Sequence, residues 1–328
     1  MDSAKNLGEK EIIQIIRNQL KMPKTSIPFG DDVSAISIDG DKLAVLKTDM
    51  LVGKTDVPFG MSLRQAARKA VVMNISDFAA KGVKPLIMLV SLGLPRGFNK
   101  KEVMEIGKGL NEGAREYDTY IIGGDTNESS DLIISCSLLG FSDKEKLVSR
   151  FGARPGDLVA VTGKFGKTAA GLRILLERLS APKKIEEILI ESVLMPKARL
   201  KEGLALSRTG GVTASIDSSD GLAWSLYELS DASDVGFTIN NVPIAREAIE
   251  FARIYGFDPL ELGLYGGEEY ELIVTIKPEL WGKVEEAVKK AGGSLLKIGV
   301  ATKDKKIILK AKGETRPIDR RGWEHFKT

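Results

Sequence analysis

The chain has 328 residues, with 48 basic and 45 acidic side chains and a formal net charge of +3. This length suggests about two domains, and the charge balance excludes the dense basic surface of a nucleic-acid-binding protein. No apolar run approaches the roughly 20 residues of a membrane span, and the first residues lack the apolar segment of a signal peptide. We therefore expect a cytoplasmic protein with neither a nucleic-acid nor a membrane partner.

The alternation of apolar residues in the first half predicts a mixture of strands and helices around one sheet. Two alternating runs are separated by an Asp-Gly pair, which is typical of a hairpin. We expect strands over 33–38, 42–48, 86–92, 119–122 and 132–140. We expect helices over 9–20, within 69–85 and over about 100–117.

The second half continues the α+β pattern after a break at 150–157, where glycine and proline interrupt the periodicity. Its predicted strands are 158–162, 212–216, about 235–239, 272–276 and a final pair near the C-terminus. Its predicted helices are about 168–179, 196–207, 220–229, 244–255 and 278–291. We place a domain boundary here, with a first domain over 1–148 and a second over 149–328.

Two scarce residue types narrow the possible chemistry. The single cysteine, Cys136, lies in an apolar run, which predicts a buried strand residue and excludes an internal disulfide. The single histidine, His325, lies close to the last residue. A Ser-His-Asp triad in the body of the fold and a zinc site with several His or Cys ligands are therefore excluded. The chemistry must depend on carboxylates, amides, hydroxyls and cations.

The helix within 69–85 contains one acid, Asp77, in an otherwise apolar or small stretch. Its spacing predicts a helix that is buried on most sides. A buried carboxylate needs a cation, because burial of an uncompensated charge costs several kcal/mol or more. Two partners are open: an i,i+4 ion pair with Lys81 or a bound metal ion.

Acidic residues also recur at four other places, which we expect to be ends of strands or turns. Such acids are commonly turn formers or helix caps, but a repeated pattern favours a shared function. Ligand sets made of oxygen alone favour a hard cation such as Mg²⁺, and neighbouring glycines let backbone amides approach phosphates. The pattern predicts phosphoryl transfer. The five clusters are 30–32, 48–49, 74–77, 123–126 and 217–221.

A glycine turn at 163–168 follows a predicted strand and opens a predicted helix, as a phosphate-binding P-loop does. A Walker A motif has four residues between its glycines, whereas Gly163 and Gly166 are separated by two. The turn is too short to wrap a triphosphate in that manner. We interpret Gly166 as a tight turn into the helix.

The motifs taken together resemble those of the thiamine-monophosphate kinases, which share their general plan with aminoimidazole ribonucleotide synthetases and selenophosphate synthetases. The motifs are GDDVSAI (30–36), TDMLV (48–52), NISDFAA (74–80), GGDT (123–126), DSSDGL (217–222), GGEEYEL (266–272) and GWEHF (322–326). A selenophosphate synthetase is disfavoured because its N-terminal catalytic Cys or selenocysteine has no counterpart here. The resemblance implies an α+β fold of two α/β domains, with the N-terminal domain forming a β-barrel across a homodimer.

The resemblance also implies a role for each matching residue. ATP and thiamine monophosphate would be the substrates, with several Mg²⁺ ions as cofactors. Asp32, Asp77 and Asp217 would be catalytic. The metal ligands would be Asp32, Thr48, Asp49, Asp77, Asp125, Asp217 and Asp220. The ATP contacts would be Gly124, Asp125, Arg150 and Ser219, and the substrate contacts would be Asp56, Glu268 and Trp323.

The sequence departs from this family at two positions. The substrate-contacting histidine of many members falls on Asp56, and Glu269 stands where an aspartate is usual. Another enzyme of the same superfamily with a different acceptor, and a nucleotide sensor without turnover, remain alternatives. For Trp323 the alternative to substrate binding is an apolar latch that holds the C-terminus in place.

Overall fold

The computed structural model describes residues 7–23, 25, 27–311 and 313–326. Within these residues the strands form two sheets, one of five strands in the first half and one of seven in the second. Helices cover one face of the first sheet and pack against the second. The long helix α3 (Leu63–Lys81) lies between the two halves, so its residues contact both.

The first sheet has the strand order β1-β2-β5-β3-β4. The hairpin predicted at the Asp-Gly pair is confirmed as β1 and β2, and β2 pairs with β5 along its entire length. β4 pairs with β3 in parallel and forms one edge. The strands are β1 (Ser34–Asp39), β2 (Lys42–Val52), β3 (Lys84–Leu94), β4 (Tyr120–Glu128) and β5 (Ile133–Asp143). The helices are α1 (Glu9–Arg17), α2 (Gly53–Asp56), α3 and α4 (Lys100–Glu116).

Local sequence signals set both ends of α3. At its start, the Ser62 hydroxyl accepts a hydrogen bond from the Gln65 amide while the Gln65 side chain accepts one from Ser62, which forms a capping box. At its end, Gly82 adopts a left-handed conformation with φ 67°. Most residues between these ends are buried, as the sequence predicts. A Cβ at Gly203 would lie 2.0 Å from the Ala79 carbonyl oxygen, so glycine is required where the second half packs on α3.

The second sheet has the order β12-β11-β8-β10-β6-β9-β7. β9, which lies between β6 and the edge strand β7, has every residue buried. The strands are β6 (Leu158–Val161), β7 (Val212–Asp217), β8 (Gly236–Ile239), β9 (Leu272–Ile276), β10 (Leu296–Thr302), β11 (Ile307–Ala311) and β12 (Glu314–Pro317). The helices are α5 (Lys167–Glu177), α6 (Lys183–Leu194), α7 (Leu200–Ser207), α8 (Leu222–Ser233), α9 (Arg246–Tyr255), α10 (Pro259–Tyr265) and α11 (Trp281–Lys290), the last preceded by a 3₁₀ turn at Pro278–Leu280.

The structure corrects the element list in several places. α6 and α10 are additional helices, and the final pair of strands is instead three strands, β10 to β12. β2 continues through Asp49 and β4 through Asp125, so these acids lie within strands and not at strand ends. Cys136 is fully buried in β5, where burial raises the pKa of its thiol to about 12. This outcome agrees with the prediction of a buried strand residue.

Two apolar surfaces of the first half are exposed. In α1 no residue is buried, although the helix contains Ile12, Ile13, Ile15 and Ile16. The second surface is the face of the first sheet that is turned away from α3. Its large exposed residues include Ile36, Leu46, Met50, Leu89 and Phe141. No helix within the described part of the chain has both the length and the apolar character to cross a bilayer.

Candidate active site

A cavity of about 590 Å³ opens between the two halves of the chain. One end, which we call the acidic end, is formed by Asp32, Asp77 and Asp217. A second group of lining residues, which we call the tryptophan end, consists of Asp56, Glu268 and Trp323. The other charged or aromatic residues that line the cavity are Glu9, Lys47, Asp49, Lys54, Phe59, Lys69, Arg150, Asp220, Tyr270 and His325.

The acidic end gathers carboxylates from three separate elements. Asp32 precedes β1, Asp77 lies on α3 and Asp217 is the last residue of β7. All three are buried, and each places a carboxylate oxygen within 4.8 Å of the others. A set of oxygen ligands at this spacing fits a hard divalent cation. These three acids thus lie together although they are up to 185 positions apart, and their predicted role as metal ligands stays a prediction.

The cations nearest to these acids differ from the predicted ones. The Lys81 ammonium lies 2.7 Å from Asp31 Oδ1 and 2.7 Å from Asp32 Oδ2. It also donates a hydrogen bond of 2.8 Å to the Ser215 carbonyl. The i,i+4 pair of Lys81 with Asp77 is therefore not formed, because the Lys81 side chain reaches across to the loop before β1.

Arg150 is held by the same acid that the sequence assigned to metal binding. Its guanidinium forms an ion pair with Asp32, and its Nη1 donates a hydrogen bond of 2.8 Å to the Gly30 carbonyl. Its side chain is 21% exposed and faces the cavity. This position lets Arg150 meet an anion in the cavity while Asp32 holds its orientation.

Lys47 is the partner of Asp77. Its ammonium lies 2.9 Å from Asp77 Oδ2 and 3.6 Å from Asp49 Oδ2. Although burial disfavours the charged lysine, the charges of Asp77 and Asp49 raise its pKa. Lys47 therefore stays protonated and compensates part of the negative charge of the cluster.

Burial and mutual repulsion set the pKa values of the acids. Burial opposes ionisation of Asp32, but Arg150 and Lys81 outweigh it and lower its pKa to about 2. For Asp77, burial together with the charges of Asp217, Asp49 and Asp32 raises the pKa well above its usual range, despite Lys47. Burial and the charge of Asp32 raise the pKa of Asp217 to about 6. The protein by itself therefore has an excess of acid at this end, which a bound cation would relieve.

Asp220 lies three residues after Asp217, just before the N-cap of α8, and its pKa is also raised. Burial and the charge of Asp217 raise the pKa of Asp220 to about 7. Ser219 precedes it and also lines the cavity. Ser76 supports the cluster from α3, because its hydroxyl donates a hydrogen bond of 2.5 Å to Asp217 Oδ2.

The tryptophan end is organised by a lysine that sequence reasoning missed. Lys69, on α3, is 1% exposed. Its ammonium forms an ion pair with Glu268 and donates a hydrogen bond of 2.9 Å to the Asp56 carbonyl. Asp56 in turn accepts a hydrogen bond of 2.7 Å from the Val52 amide, which fixes its carboxylate against its own backbone. Two of the predicted substrate residues are thus joined through Lys69.

Strained backbone presents Glu268 to the cavity. Glu268 has φ 62° and Tyr270 has φ 52°, a left-handed conformation that costs side-chain-bearing residues energy. The Glu268 amide donates to the Ser219 carbonyl at 2.6 Å, and the Tyr270 amide donates to the Ser218 carbonyl at 3.0 Å. These bonds hold the segment against the loop after β7. Strain that is retained in this way is typical of functional sites.

The C-terminal tail contributes Trp323 and His325 to the cavity lining. Trp323 is 54% exposed, and its ring is nearly perpendicular to the His325 ring, with the ring centroids 5.9 Å apart. The Trp323 amide donates to the Asp220 carbonyl at 3.1 Å, and Ile318 is 1% exposed. Because buried Ile318 anchors the tail, a half-exposed Trp323 ring is poorly placed to serve as its latch.

Thr48, Gly124 and Asp125 lie outside the cavity. Thr48 and Asp49 are successive residues of β2, so their side chains point to opposite faces of the sheet. Across the ladder, Met50 aligns through Ser135 and Ser91 with Asp125. Thr48 and Asp125 therefore belong to the sheet face that is turned away from α3. Their predicted roles remain predictions.

The glycine turn at 163–168 is occupied by a side chain of the protein. Glu269 Oε1 accepts hydrogen bonds from the Gly166 amide at 2.6 Å and from the Thr168 amide at 3.2 Å. These amides are the N-terminal donors of α5, where a P-loop would bind phosphate. A carboxylate already fills that position, so the interpretation of Gly166 as a structural turn agrees with the structure.

The lining residues that the sequence did not assign include Lys47, Lys69, Tyr270 and His325. Lys47 directly precedes the predicted Thr48-Asp49 pair, and Tyr270 and His325 lie inside quoted motifs. Position beside a motif was therefore the signal available for these three. Lys69 had a weaker signal, since a lysine on a helix that is buried on most sides needs an acidic partner.

Comparisons with known proteins follow the same division of the chain. The family model described as AIR synthase related protein, N-terminal domain, matches residues 30–142, and the one described as AIR synthase related protein, C-terminal domain, matches residues 154–312. A thiamine-monophosphate kinase of Nitrosopumilus maritimus is 36% identical over 98% of this chain and 99% of its own length. One of Pyrococcus horikoshii is 36% identical over 98% of this chain and 97% of its own. A solved structure described as AaThiL complexed with AMPPCP and TMP has a TM-score of 0.86 at 28% identity and covers 99% of both chains.

Proposed function

The chain belongs to the thiamine-monophosphate kinases of the AIR synthase related family, and on that premise we propose that it transfers the γ-phosphate of ATP to thiamine monophosphate in a magnesium-dependent reaction. The products are thiamine diphosphate and ADP. The observation that carries the proposal is the cavity itself. It is lined both by a cluster of buried carboxylates and by the acidic and aromatic residues Asp56, Glu268 and Trp323.

The residues at the acidic end fit a divalent cation. Asp32, Asp77 and Asp217 offer carboxylate oxygens within 4.8 Å of one another, and imidazole and thiolate are absent from this set. Asp49 and Asp220 line the same cavity and would add further ligands. Bound Mg²⁺ would supply neutralisation of phosphate charge and alignment of the phosphate oxygens.

The chain's own groups place the two phosphates. Arg150, held by Asp32 and the Gly30 carbonyl, directs its guanidinium towards the nucleotide phosphates. Ser219 follows Asp217 and offers a hydroxyl at the same edge of the cavity. Burial of this end excludes water, which protects the phosphoryl group from hydrolysis.

The acceptor needs no general base. It is a phosphate monoester whose second pKa is about 6, so it is already largely a dianion at neutral pH. Its oxygen attacks the γ-phosphorus of ATP directly while the bond to ADP breaks. The one histidine of the sequence lies at the tryptophan end, and the acceptor phosphate can attack ATP unaided. A phosphoenzyme is therefore not required, and we expect inversion of configuration at phosphorus.

The tryptophan end would receive the rest of thiamine monophosphate. Thiamine carries a cationic thiazolium, and both Glu268 and the exposed face of Trp323 favour a cation. Asp56 adds a carboxylate where many family members have a histidine. We assign Asp56, Glu268 and Trp323 to acceptor binding on this charge complementarity.

The assembly we propose is a homodimer located in the cytoplasm, with a first domain over 1–148 and a second over 149–328. The first sheet leaves β1 and β4 as edges and exposes Ile36, Leu46, Met50, Leu89 and Phe141 on one face. A second copy would cover this face and close a barrel across the two chains. Gly124 and Asp125, on β4, would then lie beside the partner and could contribute to nucleotide binding.

The test of function is ADP release from ATP with a panel of phosphorylated acceptors. We expect release with thiamine monophosphate, together with formation of thiamine diphosphate, and none after exhaustive chelation. Release with a different acceptor alone would identify another enzyme of the superfamily. ATP binding without release for any acceptor would identify a nucleotide sensor. Activity that survives chelation would contradict the proposed metal dependence.

A further inference from the structure

Lys47 lies among the predicted metal ligands, but neither the motifs nor the family resemblance gives it a role. It is part of β2, and its backbone pairs with Leu138 of β5. Strand alternation directs its side chain to the same face as Asp49, towards α3. The side chain is 18% exposed and lines the cavity. Its ammonium is thus a fixed part of the acidic end.

The position of this ammonium matters for where divalent ions can bind. It lies 2.9 Å from Asp77 Oδ2 and 3.6 Å from Asp49 Oδ2, between the two carboxylates. A Mg²⁺ ion shared by these same oxygens would lie about 2.1 Å from each of them. The ion and the ammonium would then be no more than about 5 Å apart, where two cations repel each other in a buried site.

We propose that the Lys47 ammonium is a permanent cation of the phosphate site, which occupies the gap between Asp49 and Asp77 in place of a divalent ion and contacts a phosphate oxygen directly. The divalent ion would instead lie among Asp32, Asp77 and Asp217, whose carboxylate oxygens are within 4.8 Å of one another. The inference rests on the proposed function in one respect, namely that this cavity binds phosphates and divalent ions. It specifies which part of the cluster the ions occupy.

The competing possibility is that Lys47 fills the gap only until a metal ion arrives and then turns towards solvent. Its backbone cannot move far, because β2 is paired with β1 on one side and with β5 on the other. A displaced ammonium would also lose its contacts with the carboxylates of Asp49 and Asp77. The two possibilities predict different numbers of bound ions, so they can be separated by counting.

The experiment counts Mn²⁺ bound per chain by electron paramagnetic resonance, using the full chain with a non-hydrolysable ATP analogue. Lys47→Met should bind one more Mn²⁺ than the wild type, because Asp49 and Asp77 become available to share an ion. Lys47→Arg, which keeps the charge, should bind the wild-type number. Lys42→Met is the matched control, since Lys42 lies on the same strand and pairs with Asp143 outside the cavity. An equal count for Lys47→Met and the wild type would overturn the proposal.

Lys47→Met can lower stability, because it removes the cation nearest to Asp77. Crystals of the wild type soaked in Mn²⁺ answer the same question without a variant. Anomalous peaks beside Asp32 and Asp217, with Lys47 still on Asp77, are expected. A peak between Asp49 and Asp77, with Lys47 turned away, would overturn the proposal. Failure of the proposed function would show separately, as absent ADP release by the wild type.

Discussion

The two ends of the cavity differ in how deeply their charged and aromatic groups are buried. At the acidic end, Asp32 and Asp77 are buried against lysine and arginine side chains at short distances. At the tryptophan end, Glu268 is 26% exposed and Trp323 is 54% exposed, with Lys69 as the buried support. The acidic end is held by buried ion pairs, whereas the tryptophan end offers exposed surface that a ligand would cover.

This difference indicates which part of the cavity is expected to bind the phosphates and which part the organic portion of the acceptor. Phosphate groups demand fixed opposite charges, which Arg150, Lys47 and a cation held by the buried acids would provide with little reorganisation. The organic part of an acceptor is recognised by area and by weak contacts with an aromatic ring. Substitutions at the acidic end should therefore change turnover, and those at the tryptophan end should change the Michaelis constant for the acceptor.

The strongest test of this contrast is Asp77→Asn. Loss of one carboxylate from the cluster should lower kcat by about two orders of magnitude or more, which corresponds to roughly 3 kcal/mol in the barrier. The fold should persist, because asparagine has nearly the same shape and repulsion from Asp32 and Asp217 is relieved. The measurements are kcat and melting temperature. A melted variant whose folded fraction keeps full specific activity would show that Asp77 is structural.

The sequence predicted the acidic end better than its cations. Acids beside glycines recur in several motifs, and that pattern is visible without a structure. The partners of these acids are set by tertiary packing, which no periodicity encodes. Lys81 illustrates this, since helical spacing suggested Asp77 whereas the packed loop before β1 supplies Asp31 and Asp32. Lys47 and Lys69 were missed for the same reason.

The fold shows a similar division. The hairpin β1-β2, helix α4 and strand β9 were predicted within a few residues, because turn and cap signals mark them. The helices α6 and α10 were missed, and β4 was predicted to end before its glycines. Gly123 and Gly124 are poor strand formers, but pairing with β3 holds them in the ladder. Tertiary pairing thus overrode local preference at this edge.

The Lys69→Met variant tests the predicted role of the tryptophan end in acceptor binding, because buried Lys69 contacts both Glu268 and Asp56. The variant removes the ion pair with Glu268 and the hydrogen bond to the Asp56 carbonyl, so both segments lose their fixed position. We expect the Michaelis constant for thiamine monophosphate to rise about tenfold and that for ATP to change little. Steady-state kinetics with each substrate varied in turn measures both. Lys84→Met, which removes an exposed pair with Asp118, is the control. Equal rises for both substrates would show that the two ends are not separable.

Trp323→Ala should give a smaller change of the same kind. A cation over a tryptophan ring contributes about 0.5–2 kcal/mol, which corresponds to roughly a two- to thirtyfold higher Michaelis constant for thiamine monophosphate. The melting temperature should hardly change, because the ring is half-exposed and Ile318 anchors the tail. A large drop in melting temperature, or an equal loss of ATP affinity, would instead support the latch.

The smallest expected effect concerns the glycine turn at 163–168. A phosphate site in this turn would mean that phosphate binding is not confined to the acidic end of the cavity. Glu269 fills the N-terminus of α5, and burial raises its pKa from 4.5 to about 7. A raised pKa means that the Glu269 contribution to stability is complete below about pH 4.5 and is lost as the pH rises through 7. The melting temperature of Glu269→Gln should therefore rise relative to that of the wild type between pH 5 and pH 8, by a few degrees at most, since the shift is worth on the order of 3 kcal/mol.

The Michaelis constants of Glu269→Gln and Lys167→Ala for ATP should match that of the wild type. Loss of ATP binding in either variant would restore the P-loop interpretation and add a phosphate site to the two ends described above.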